Sequence, residues 1–128
     1  MGVTVAGLLD TSIVIALAGS EPPELPDRAA VSTMTLAELH LGAALASAEQ
    51  RSMRFRVLAH AERTFDALPV DALVALRYGQ LVASVRRAGR RLGVADALIA
   101  ATAIAHGLAL YTFDEDFRDV PGLEVAGI

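Results

Sequence analysis

Short apolar runs alternate along the chain with longer stretches in which apolar residues recur at helical spacing. The run at 3–9 is largely apolar and ends at Asp10, the pattern of a strand buried on both faces. Positions 11–18 read as a helix stopped at Gly19-Ser20, and 21–27, with Pro22, Pro23 and Pro26, as a loop. A second short strand is expected at 29–32, then an Ala- and Leu-rich helix at 35–48. Positions 49–68 also read as helix, Pro69-Val70 as a very short strand, and Asp71 as the N-cap of the next helix. There Val74, Tyr78, Leu81, Val82 and Val85 share one face, with Arg77, Arg86 and Arg87 off it, until Gly89 breaks the pattern. Positions 94–106, nearly all Ala, Leu and Ile, predict a helix buried on most sides and ended by Gly107. A strand follows at 108–112, and an edge strand at 123–125 after Pro121-Gly122. The alternation predicts an α/β domain in which helices flank a short-stranded, mostly parallel central sheet. In such sheets ligands sit outside the carboxyl ends of the strands.

Composition narrows the chemistry. A length of 128 residues fits one domain, 1–128, able to bury roughly two-thirds of its unfolded surface without staples. No apolar run approaches the ~18 residues of a membrane span, and no basic residue precedes the first apolar run. A cytoplasmic protein is therefore expected. The absence of cysteine excludes disulfides, zinc–thiolate sites and thiol nucleophiles. All eleven basic residues are arginine, and nine of them fall between positions 51 and 91 beside only three acids. That segment carries a formal charge of +6 and the remainder −10. A basic middle suits phosphate backbones, and an acidic remainder suits cations; solvation of amphipathic helices explains the arginines equally well. His40, His60 and His106 lack ligand-type spacing and read as structural or surface residues.

The acids fall where the predicted topology makes them interesting. Asp10 follows the first strand, and Asp114 and Asp116 follow the strand ending at Thr112. Glu38 and Asp96 lie near the starts of helices, which in βαβ units begin at the carboxyl edge of the sheet. Converging carboxylates repel, and a divalent cation removes the conflict. A small hard cation such as Mg²⁺ takes a few carboxylates plus water and phosphate oxygens, and can activate water against a phosphodiester. Each acid also has an ordinary structural reading. Asp10 can cap a helix, 35–38 and 112–115 fit capping boxes, and Asp96 can complement a helix dipole.

Four segments then carry a resemblance. Leu8-Leu9-Asp10-Thr11-Ser12, Thr35-Leu36-Ala37-Glu38-Leu39-His40-Leu41-Gly42, Gly93-Val94-Ala95-Asp96-Ala97-Leu98-Ile99-Ala100-Ala101-Thr102-Ala103 and Leu110-Tyr111-Thr112-Phe113-Asp114-Glu115-Asp116-Phe117 resemble, in order, the four motifs of PIN domains. Their order spans nearly the whole chain, and the length fits the VapC-type toxins of bacterial toxin–antitoxin pairs. The resemblance implies a PIN-like fold, Mg²⁺- or Mn²⁺-dependent endonucleolytic cleavage of RNA, a VapB-type antitoxin and a toxin homodimer. It makes Asp10, Glu38, Asp96 and Asp114 the catalytic and metal-binding acids, with Asp116 a competitor for the fourth place. It gives Thr11, Ser12 and Thr112 the role of orienting ligands or metal-bound waters. Arg86, Arg87, Arg90 and Arg91, just before the third motif, become candidates for RNA phosphates.

Rival readings fail or survive on single features. A receiver domain needs a lysine that this chain lacks, and a haloacid-dehalogenase-like phosphatase needs an aspartate where Ser12 stands. A PIN-like module that binds RNA or a partner without cutting, and a housekeeping nuclease, remain as alternatives to a toxin.

Overall fold

The computed structural model describes residues 6–126, so positions 3–5 of the expected first strand lie outside the described residues. The elements in order are β1 (Ala6–Leu9), α1 (Thr11–Ala16), β2 (Arg28–Ser32), α2 (Thr33–Leu45), α3 (Arg51–Thr64) and β3 (Asp66–Leu68). They continue with α4 (Ala72–Arg87), α5 (Val94–His106), β4 (Ala109–Tyr111), a 3-10 turn at Glu115–Phe117 and β5 (Val125–Ala126). The strands form a single sheet in the order β3-β2-β1-β4-β5, and every adjacent pair is parallel. The chain steps outward from β1 to β3, then returns to the other side of β1 for β4 and β5. The carboxyl ends of β1 and β4 therefore flank the topological switch point, where α/β sheets open a crevice. The Asp10 N–H donates to Tyr111 O at 2.9 Å and continues the β1–β4 ladder to its edge.

Successive side chains of β1 point to opposite faces, and both faces are covered. Leu8 and Leu9 are each fully buried, but in different cores. Leu8 packs with Leu81 and Val85 of α4, Ile99 and Ala103 of α5, and Phe117. Leu9 packs with Ile13 and Val14 of α1, Leu39 of α2, and Val57 and Leu58 of α3. Each such leucine contributes about 1.5–3 kcal/mol by leaving water. The small side chains of Ala97, Ala100 and Ala103 on α5 let α4 lie close against it.

Local signals set most helix ends. Asp71 Oδ1 accepts from Val74 N–H at 3.0 Å, the expected N-cap of α4. Gly107, at φ 64°, ends α5 as expected, with Leu108 N–H bonding Ala103 O. The stretch at 49–68 differs from its sequence reading. Its helix stops at Thr64, and Asp66–Leu68 forms β3 beside β2, so the strand precedes Pro69-Val70 instead of occupying it. No Gly or Pro marks that break. Burial of Phe65 makes it, in an extended conformation within the core shared with α3. Helix α2 likewise starts at Thr33, capped by Ser32, and ends at Leu45. The last strand is β5 at Val125–Ala126, an edge strand displaced toward the C-terminus from 123–125. Among the described residues no helix is long and apolar enough to cross a membrane.

Two glycines make opposite predictions. A Cβ at Gly7 would lie 2.5 Å from Tyr111 Cε1 and 3.1 Å from Pro26 Cγ, whereas one at Gly79, inside α4, meets nothing within 4 Å. Gly7→Ala is expected to lower unfolding stability by about 1–3 kcal/mol through overpacking. Gly79→Ala should raise it by about 0.5–1 kcal/mol through helix propensity. Denaturant titration of both variants checks the pair.

Candidate metal centre

Asp10 leaves the end of β1 and stands at the N-cap position of α1, yet its side chain makes no capping bond. It is 4% exposed, and its Oδ2 accepts from Ser12 Oγ at 2.9 Å and from Thr112 Oγ1 at 2.8 Å. Both hydroxyls also accept backbone N–H groups, Ser12 from Phe113 at 3.3 Å and Thr112 from Asp114 at 2.9 Å. With those N–H groups occupying their lone pairs, the hydroxyl protons are directed to Asp10. The carboxylate thus bonds from one oxygen to both sides of the switch point, leaving Oδ1 without a hydrogen bond among the described residues.

The other acids approach from separate elements. Asp96 lies in the first turn of α5, as expected, where N-cap Gly93 offers no side chain. Asp114 caps the 3-10 turn through Oδ1, which accepts from Asp116 N–H at 2.9 Å. Carboxylate oxygens of Asp96, Asp114 and Asp116 all lie within 4.8 Å of one another. The sequence treated Asp114 and Asp116 as competitors, whereas the fold brings both to Asp96. Glu38 lies in the second turn of α2, because the helix begins at Thr33, so the capping box at 35–38 does not form. Its Oε1 instead accepts from Thr11 Oγ1 at 2.6 Å, and Thr11 Oγ1 lies 3.2 Å from the buried Thr35 Oγ1. Thr35 is a contributor that sequence reading passed over. Its signal was position: three residues before Glu38 on a helix, it shares that residue's face.

The electrostatics describe one cluster. The Asp96 carboxyl is raised from 3.8 to about 6, most by burial and then by the negative charges of Asp10, Asp114, Glu38 and Asp116 in that order. None of these acids has an ion-pair partner among the described residues, where the pairs are His40–Glu62 and Arg118–Glu115. Oxygen donors that range from buried Asp10 to exposed Asp116, with unbalanced negative charge, fit a hard divalent cation. The four arginines lie to one side. Arg86, Arg90 and Arg91 line a hollow of about 580 Å³ over Val82, Val85 and Leu92, while Arg87 points away along α4 with Leu76 and Gly79. Among the described residues Arg90 alone of the four has side-chain partners, donating to Asp116 O at 3.2 Å and Asp119 O at 3.1 Å. His40, His60 and His106 are exposed and apart from the acids, as their spacing predicted.

Comparison with known proteins adds an independent line. Residues 7–123 match the family described as PIN domain. Ribonuclease VapC8 of Mycobacterium tuberculosis is 48% identical over 101 residues, covering 76% of this chain and 89% of its own. Ribonuclease VapC4 of the same organism is 36% identical over 126 residues, 94% of this chain and 95% of its own. Among solved structures, the VapBC-5 toxin–antitoxin complex from Mycobacterium tuberculosis superposes with a TM-score of 0.83 at 33% identity, covering 97% of this chain and 99% of that one.

The raised Asp96 carboxyl has a pH signature in metal-free protein. Below 3.8 the group is protonated folded or unfolded, and between 3.8 and about 6 the folded state holds the extra proton. Stability therefore falls as pH rises through that window. Asp96→Asn lacks the proton and should gain stability relative to wild type from pH 4 to 6.5, with Mn²⁺ stabilising wild type at the upper end. Parallel melts of the two proteins across pH, with chelator and with Mn²⁺, measure both effects.

Proposed function

The chain belongs to the PIN-domain family and within it to the VapC ribonucleases, and from that premise we propose that Asp10, Glu38, Asp96, Asp114 and Asp116 form its catalytic metal site. The observation that carries the reading is the Asp96–Asp114–Asp116 carboxylate group, in which Asp96 also feels the charges of Asp10 and Glu38, with no ion-pair partner for these acids among the described residues. Mg²⁺ is the cation this donor set suits best, with Mn²⁺ able to replace it. When bound, the cation activates a water and stabilises the oxygen that leaves the RNA phosphodiester.

The chain's own groups supply the geometry. Ser12 and Thr112 hold Asp10 from one side, and Thr11 holds Glu38. Held carboxylates lose little freedom when the ligand set closes, so their attraction is not spent on ordering them. Arg86, Arg87 and Arg91 make no side-chain hydrogen bond or ion pair among the described residues, which leaves their guanidinium groups available for RNA phosphates. The hollow over Val82 and Leu92 is joined to the acid-bearing loop by Arg90, which lines it and donates to the Asp116 carbonyl.

The toxin role brings partners. A VapB-type antitoxin fits the groove of about 350 Å³ that runs from Glu38 past Thr11, Ile15, Leu39, Met53 and Val57. Ile15 and Met53 expose apolar surface in it, and Leu41 and Leu45 of α2 and Phe55 of α3 are exposed on the helices that line it. A second exposed apolar pair, Leu73 and Leu76 at the start of α4, supports a homodimer through that helix. The protein acts in the cytoplasm, where RNA and antitoxin are both at hand.

Cleavage of RNA should require Mg²⁺ or Mn²⁺ and stop on chelation. Asp10→Asn and Asp96→Asn are each expected to lose about 100-fold or more in rate, and Thr112→Val about 10–100-fold by loosening Asp10. Acid variants that cut as fast as wild type would sink the site. Expression without its antitoxin should arrest bacterial growth, and co-expression of a small neighbouring reading frame should relieve it. Harmless expression would favour a housekeeping nuclease.

A further inference from the structure

Among the described residues Arg90 is the one arginine of its group whose guanidinium is already engaged, and what it holds is the loop that carries two of the acids. Helix α4 ends in a Schellman turn: Gly89 N–H bonds Arg86 O, and Arg90 N–H bonds Val85 O, each at 3.0 Å, with Gly89 at φ 76°. Val85 is 2% exposed, so this turn anchors the backbone of Arg90 to the core. From there Nη2 reaches Asp116 O at 3.2 Å and Nη1 reaches Asp119 O at 3.1 Å. Asp119 sits at φ 55°, a left-handed conformation that residues other than glycine seldom adopt, and the guanidinium bonds its carbonyl. Phe117 and Val120, buried between and after the two carbonyls, pin the same loop from inside.

Asp116 is consequently gripped at both ends of its backbone. Its N–H donates to Asp114 Oδ1, and its carbonyl accepts from Arg90. We infer that Arg90 is a positioning residue for the metal-binding acids, clamping the carbonyls of Asp116 and Asp119 so that the Asp114 and Asp116 carboxylates stand beside Asp96. The inference rests on the metal site proposed above. It assigns Arg90 a different task from Arg86 and Arg91, which line the same hollow without a side-chain partner among the described residues. The planar fork matters, because one guanidinium reaches two carbonyls that a single ammonium cannot span equally.

The test uses the full chain, with Mn²⁺ as the probe and free Mn²⁺ read by electron paramagnetic resonance. Arg90→Gln, shown folded by its metal-free melt, should bind Mn²⁺ about tenfold more weakly. Its kcat should fall at limiting Mn²⁺ and recover at high Mn²⁺, with KM for RNA changed less than about twofold. Arg90→Lys should fall between wild type and Arg90→Gln, and carries the same test if the glutamine variant does not fold. Unchanged Mn²⁺ affinity with a raised KM and a shallower salt dependence would overturn the inference in favour of a phosphate contact. A lower melting temperature with unchanged Mn²⁺ affinity would overturn it in favour of loop stability alone. Wild type that binds no Mn²⁺ brings down the metal site and this inference together. Wild type that binds Mn²⁺, with Asp96→Asn losing it and Arg90→Gln retaining it, overturns this inference only.

Discussion

Two hydroxyls converge on Oδ2 of Asp10, and through them the two halves of the sheet meet at its carboxyl edge. Ser12 comes from the helix after β1 and Thr112 from the end of β4, residues a hundred positions apart in sequence. Each also receives a backbone N–H from the loop after β4, so neither hydroxyl can turn away without leaving an N–H unpaired. The position of Asp114 follows from Thr112, and that of Asp116 follows from Asp114. A buried carboxylate is thus the reference point from which the rest of the acidic edge is set out.

That edge concentrates negative charge that no ion pair neutralises among the described residues. Nine of the eleven arginines fall in the middle of the sequence and, in space, on α3, α4 and the turn before α5, while Arg118 in the acid-bearing loop pairs with Glu115. Repulsion among the acids costs stability in the metal-free protein, with Asp96 bearing it most visibly because burial adds to the effect of its neighbours. The same repulsion is what a divalent cation relieves, so a site that is costly alone becomes favourable when filled. Packing around Leu8, Leu9 and Phe117 on both faces of the sheet holds the acids together against it.

Much of the fold was legible because its determinants are local. Asp71 caps α4, Gly107 ends α5, and the apolar run of β1 declares a strand covered on both faces. The region at 49–68 was not legible, since no breaker residue separates α3 from β3. There a single aromatic, Phe65, ends the helix by seeking the core, and the pairing of Asp66 to Leu68 with β2 is a long-range event. The capping reading of Glu38 failed for a related reason: Ser32 takes the cap, and Glu38 turns to Thr11 on a different element.

The sequence by itself determined which acids belong together, because four motifs in order identify a family, and it determined the α/β alternation that sends them to one edge. Only the tertiary structure decided how they meet. It brought both Asp114 and Asp116 to Asp96, gave Asp10 its two hydroxyls, and turned Arg90 toward the backbone of the acid-bearing loop. The physical reason is range. A cap or a hydrophobic period is settled within a few residues, whereas the contacts of Asp10 with Thr112, of Asp96 with Asp114 and Asp116, and of Arg90 with Asp116 join residues 18 to 102 positions apart and exist only once the sheet order has placed them side by side.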